Sequence, residues 1–435
     1  MKGWEMFLRA SGRIPGGTQL LSKRPGMYLP EQWPSYFASA KGVEVTDLDG
    51  RTFTDMSMMG IGACVLGYAD AEVDMAVKGA IDRGVASTLN CVEEVELGDV
   101  LVELHPWAQM VRYARGGGEA MAMAVRIARA HTGRDKVAFC GYHGWADWYL
   151  AANLAEDEAL DAHLLPGLEP KGVPRGLTGT ALPFHYNRID ELQAILKGNA
   201  GQVAAIVMEP QRGSEPAEGF LQQVRDAADA IGAVVIFDEI TTGFRMTDGG
   251  IHMLWRVTPD IAVFAKSIAN GYAMSVVLGR QEVMQAAQST FISSTNWTER
   301  IGPTAALATI AKFRREKVAA HLIAMGGQVM EGWVRAAGKA GLGLHASGLP
   351  SLSHFAFEGE QELELTTLFI QMMLEKGYLT YNQFKVSFAH TQKHVDGYLA
   401  AVEEVFAVMG KALKSGTVRS LLKGPVMQRG FYRLA

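Results

Sequence analysis

Residues 234–245 read V-V-I-F-D-E-I-T-T-G-F-R, and residues 261–272 read I-A-V-F-A-K-S-I-A-N-G-Y. Each stretch opens as a short apolar run rich in Val and Ile, the pattern of a strand covered on both faces. The first run delivers Asp238 and Glu239 at its carboxyl end, and the second delivers Lys266. Ligands of parallel α/β sheets bind outside the carboxyl ends of the strands, and a lysine kept from bulk water there becomes a nucleophile toward carbonyl carbon. Taken alone, Lys266 reads more simply as a solvated strand-end lysine, and the acidic pair as a helix cap or a solvated acid. The lysine follows Asp238 by 28 residues across one strand connection, and that context favours a site.

Working outward, residues 137–140, 203–208, 233–237, 261–265 and 275–278 are all strand-like. Helical patterns over 120–131 and 219–231 alternate with them, which predicts a parallel α/β sheet. Residues 42–48 and 51–56, joined at Asp49-Gly50, predict a peripheral β-hairpin. Beyond about residue 320, amphipathic helices at 363–376 and 393–409 flank strand-like pieces at 351–357 and 386–389, suggesting a smaller α+β domain. The Pro- and Gly-rich stretch 166–187 reads as a long loop, either a surface excursion or an active-site lid. The expected division is 1–58 and 321–435 for the small domain, from both termini, and 59–320 for the large one.

Composition narrows the partners. With 435 residues, 48% of them hydrophobic, the chain has ample material for a buried core. A formal net charge of -5, with both signs dispersed, gives neither a nucleic-acid surface nor an acidic block, so small molecules are the expected ligands. Three widely spaced cysteines, Cys64, Cys91 and Cys140, suit neither a disulfide framework nor a metal site. The amino-terminal segment carries Lys2, Glu5, Arg9 and Arg13, unlike a signal peptide, and no run approaches the roughly 18 uncharged apolar residues of a membrane helix. A soluble cytoplasmic protein is expected.

Asp238 also suits a cofactor acid: a carboxylate beside the ring nitrogen of pyridoxal 5′-phosphate (PLP) keeps that nitrogen protonated, so the ring accepts the electrons of a bond broken at substrate Cα. Together, F-D-E-I-T-T-G-F-R and A-K-S-I-A-N-G resemble the class III aminotransferases, the fold-type I PLP family that includes glutamate-1-semialdehyde aminomutase. The resemblance covers nearly all of the chain. It includes I-P-G-G-T (14–18), V-T-D-L-D-G-R (45–51), V-L-G-Y (65–68), G-Y-H-G (141–144), M-E-P (208–210) and S-F-A-H-T (387–391). It implies a fold-type I PLP-dependent transferase, its large domain a mostly parallel seven-stranded sheet sandwiched by helices. Lys266 then holds the cofactor as a Schiff base, with Asp238 on the ring nitrogen. The resemblance further implies Tyr142 stacked on one ring face and Ile240 on the other, and Glu209 near the ring substituents; His143 reads as a packing group or one supporting a residue at the cofactor, with a catalytic role as the alternative.

For the phosphate, R-G-G-G-E-A (115–120) runs into a helix beginning near Glu119, and its bared amides and the helix dipole suit an anion. The family usually has Ser or Thr where this chain has Gly116 and Gly118, leaving the backbone of Gly116, Gly117 and Gly118 to serve and implying weaker PLP retention. Thr298, in S-S-T-N-W-T-E-R-I-G-P-T (293–304), matches the threonine that crosses a homodimer interface to the partner's cofactor phosphate; the alternative is an ordinary helix-capping loop.

The function so implied is transamination, moving an amino group from a small-molecule amine donor to a carbonyl acceptor. Residues 343–354 offer His345 but no arginine to clamp a carboxylate. Asn382 stands where the aminomutase branch has an acid, and Ile61 where it has a tryptophan, which argues against the haem-precursor reaction. Intramolecular amino transfer, racemisation and a catalytically silent binding protein are the rival readings.

Overall fold

A computed structural model of the chain describes residues 1–156, 158–163, 166–211 and 213–429. The chain divides into two compact units, Ala71–Glu316 and, from the two ends together, Met1–Asp70 with Lys317–Ala435.

The central unit is built on a seven-stranded sheet in the spatial order Met110–Ala114, Ser275–Gly279, Ile261–Phe264, Val234–Asp238, Val203–Met208, Lys136–Cys140, Ala181–Pro183. Ser275–Gly279 runs antiparallel to both neighbours, and the remaining pairs are parallel. Strand periodicity explains why the middle strands are apolar throughout. Ala205, Val207, Ile236 and Val263 face a core shared with helix Gly117–Thr132, while Ile206, Met208, Val235 and Phe237 face another, shared with helix Phe220–Ile231. The parallel α/β expectation therefore holds.

Two expectations need correction. The stretch 166–187 is not one loop: Arg175–Leu177 forms a helical turn, and Ala181–Pro183 pairs in parallel with Lys136–Cys140. Pro183 is tolerated because this strand lies at the sheet edge, where a missing N–H breaks no ladder. Residues 386–389 are not a strand either. The strand is the preceding Gln383–Lys385, paired with Leu352–Phe357, and the chain then turns so that buried His390 donates from Nε2 to the Asp55 carbonyl at 2.9 Å.

The terminal unit carries the expected hairpin as Glu44–Asp47 and Thr52–Asp55, with Phe37–Lys41 added on one side and Tyr378–Leu379 pairing in parallel on the other. Helices Val318–Ala340 and Gln392–Ser415 pack closely. A Cβ on Gly410 would lie 2.1 Å from the Ala340 carbonyl oxygen, so glycine is required there. In the same unit, Met59, Gly60, Ile61 and Gly62 all have positive φ, and Ile61, at +59°, is a β-branched residue in a region such residues avoid.

Candidate active site

Strand ends assemble the site. Val234–Asp238 terminates on Asp238, whose side chain is almost wholly buried. Its Oδ1 accepts the Ile240 N–H at 3.0 Å, and its Oδ2 lies 2.8 Å from His143 Nδ1. The other ring nitrogen of His143 is 3.1 Å from the Cys140 carbonyl, which can only accept. The ring is thus fixed at both nitrogens, and Asp238 lies in a buried hydrogen-bonded contact with it. His143 thus supports Asp238 from behind, in keeping with a packing or supporting role.

The glycines bring the remaining candidates together. An added Cβ on Gly117 would lie 2.9 Å from Ile240 Cδ1, and one on Gly144 would lie 2.9 Å from Gly118 Cα. One on Gly141 would lie 2.8 Å from Glu209 Oε2, the same oxygen that accepts the Tyr142 N–H at 3.3 Å. The helix begins earlier than expected, at Gly117, with Gly116 at its N-cap. Glu119 Oε2 accepts from the backbone N–H of Arg115 at 3.0 Å and of Gly116 at 3.3 Å, which fixes the turn. The first-turn amides that follow have no partner within the helix, leaving a positive pole free for an anion.

Lys266 opens the turn after Ile261–Phe264 with φ +46°, a strained value for a non-glycine residue, and its Nζ donates to Thr241 Oγ1 at 2.8 Å. Behind the site, fully buried Glu239 accepts from His252 Nδ1 at 2.8 Å and Thr242 Oγ1 at 2.5 Å, and Trp107 Nε1 donates to His252 Nε2 at 3.0 Å. Burial alone would push Glu239 up, but the hydrogen bonds from His252 and Thr242 hold it below the usual carboxylate value. A cavity of about 260 Å³ opens beside Tyr142 and Glu209, lined also by Cys140, His163, His185 and Tyr186. Burial pushes His163 down to about 4, so it is neutral at pH 7.

Thr298 is the outlier. It is solvent-exposed and its hydroxyl donates to the Thr295 carbonyl at 2.9 Å, although Arg115 ties the flanking Trp297 and Glu299 carbonyls to the glycine turn. Thr241, the Glu239–His252–Trp107 network and the His143–Asp238 pairing were not identified from sequence. Only the polar T-T after the acidic pair hinted at the first.

The donor set suits PLP in kind. It offers an amine for the aldehyde, a fixed carboxylate for the ring nitrogen, an aromatic ring and an aliphatic chain for the ring faces, and a helix amino terminus for the phosphate. Among the described residues, no cluster of His, Cys, Asp or Glu could hold a metal ion and no helix is long and apolar enough to cross a membrane.

Comparison with known proteins agrees. Residues 30–350 match the family model described as Aminotransferase class-III. The chain is 30% identical over 425 residues to a 3-aminobutyryl-CoA aminotransferase of Cloacimonas acidaminovorans (strain Evry), covering 95% of this chain and 98% of that one. It is also 30% identical over 430 residues to a glutamate-1-semialdehyde 2,1-aminomutase of Methanothermobacter thermautotrophicus, covering 94% and 99%. In fold it is similar to the FumI protein of Sphingopyxis sp. MTA144, solved in its PLP internal aldimine form, with TM-score 0.86, 24% identity, and 95% and 97% of the two chains covered.

Proposed function

The chain belongs to the class III aminotransferases and is a PLP-dependent transaminase; from that premise we propose which of its residues do the work. Lys266 binds the cofactor aldehyde, and the cofactor, when bound, supplies an electron sink for a bond broken at substrate Cα. Freed from the cofactor, the Lys266 ε-amine would serve as the base that accepts the substrate Cα proton and as the acid that returns it. Asp238, fixed by His143 and the Ile240 amide, would hold the proton on the ring nitrogen. Tyr142 and Ile240 would hold the two ring faces, Glu209 would lie by its substituents, and the amides of Gly116, Gly117 and Gly118 would hold the phosphate.

The single observation carrying this assignment is that adjacent strands end on a buried carboxyl hydrogen-bonded to a histidine and on a lysine with positive φ. We further read the active enzyme as a cytoplasmic homodimer in which Thr298 reaches the partner's cofactor phosphate. The exposed Leu89, Val92, Val95 and Phe291 support an apolar contact, and the free thiols of Cys64, Cys91 and Cys140 suit a reducing compartment.

For the donor we favour a β-amino carbonyl compound, since the similar 3-aminobutyryl-CoA aminotransferase spans nearly the whole chain. An amine-donor screen on PLP-loaded protein, read by the cofactor absorbance, tests this. A β-amino donor should discharge the band and a carbonyl acceptor restore it. Turnover without any acceptor would instead support intramolecular transfer, and borohydride reduction with peptide mapping should place the adduct at Lys266.

A further inference from the structure

Thr241 is the unassigned group closest to the chemistry. It sits in the turn after Val234–Asp238, one strand over from the turn that carries Lys266, and those strands pair Asp238 with Val263. The turn is tied down at several points. Glu239 N–H donates to the Val263 carbonyl at 2.9 Å, Gly243 N–H to the Glu239 carbonyl at 2.8 Å, and Arg245 Nε to the Thr241 carbonyl at 3.1 Å. Threonine, being branched at Cβ, adds a stiff χ1. Its hydroxyl oxygen is therefore a fixed acceptor, 2.8 Å from Lys266 Nζ. Among the described residues the hydroxyl proton itself has no acceptor, so it remains available to a bound molecule.

We propose that Thr241 is a positioning residue, the docking point that holds the Lys266 ε-amine whenever it is not bonded to the cofactor. The inference rests on the assignment of Lys266 above and deepens it. A lysine side chain carries about 2 kcal/mol of rotamer entropy. Once displaced by substrate it must stay within reach of Cα to act as a base, and effective proximity is lost by displacements of about 1 Å. By accepting one N–H, the Thr241 oxygen leaves the lone pair of the neutral amine directed elsewhere. The proton leaves Cα for that lone pair, an N–H bond forming as the C–H bond breaks, while the electron pair stays with the substrate carbon.

The test uses Thr241→Val, which keeps the shape and removes the hydroxyl, with Thr241→Ser and Thr241→Ala as companions. In apoprotein, labelling of Lys266 by an amine-reactive reagent is followed against pH. Losing an acceptor disfavours the ammonium, so Thr241→Val and Thr241→Ala should move the labelling midpoint down by about half a pH unit or more, and Thr241→Ser should not. In loaded enzyme, a Cα-deuterated donor should show a half-reaction slowed about 10-fold or more, with a larger isotope effect, in the two variants lacking a hydroxyl, and near-normal behaviour in Thr241→Ser. Should Thr241→Val fail to fold, Thr241→Ala decides. Wild-type profiles and isotope effects in the hydroxyl-free variants would overturn the proposal while leaving Lys266 as the cofactor lysine. Absence of a borohydride-fixed adduct at Lys266 in the wild type would sink both.

Discussion

Asp238 and His143 form a unit whose removal has separable consequences. Replacing Asp238 by Asn keeps the volume and removes the charge, so turnover of loaded enzyme should fall about 100-fold or more while the fold survives, as steady-state kinetics beside a circular dichroism melt would show. His143→Ala instead strands a buried carboxylate, and the denaturant midpoint should fall by the equivalent of about 3 kcal/mol. Buried histidines besides His163 add to the acid limit. Burial pushes His105 down to about 4 against an ordinary 6.5, and burial does the same to His390. The unfolded chain then takes up protons below about pH 6.5 that the folded chain refuses until about pH 4. Their contribution is complete above pH 6.5 and shrinks on acidification, by about 2 kcal/mol for His105 at pH 5. Urea midpoints at pH 7.5 and pH 5 should show the loss, and His105→Gln should remove part of it. At this scale Lys266 and Asp238 were legible because each breaks an apolar run. The pairing of Asp238 with His143 and of Lys266 with Thr241 was not, because the partners meet them from 95 and 25 residues away in the chain.

The glycine-rich turn is where element geometry makes its own demand. Gly116 has φ -123° and ψ 145°, which any residue adopts, and an added Cβ there meets nothing within 4 Å. Gly116→Ser should therefore be accepted, improve the N-cap, and tighten PLP binding up to about 10-fold in a spectral titration. Gly117→Ala would press on Ile240 and should weaken it, while a side chain at Gly118 first meets the Trp145 ring at 3.1 Å. The same logic explains which strands could be read. Val203–Met208 and Val234–Asp238 are buried on both faces and announce themselves as apolar runs. Met110–Ala114 is half-exposed with Arg112 in its middle, Ala181–Pro183 contains a proline, and Gln383–Lys385 is largely polar, so pairing made at a distance decides them.

At the scale of the molecule, the homodimer reading makes a joint forecast. Sedimentation should give twice the chain mass, and Leu89→Asp should shift it toward one chain with PLP affinity falling in step. Thr298→Ala should weaken PLP without changing the mass; unchanged PLP affinity in both variants would remove the cross-subunit role. One unit being made from both ends of the chain also has a temporal consequence on the ribosome. Thr54 waits for its strand neighbour Tyr378, which is 378 − 54 = 324 residues downstream. At about 5–20 residues per second that is roughly 16–65 s of translation. Ala71–Glu316 is contiguous and emerges well before that partner. Nascent chains arrested shortly after Glu316 has cleared the exit tunnel should therefore resist protease across the central unit while the amino-terminal hairpin is still cut.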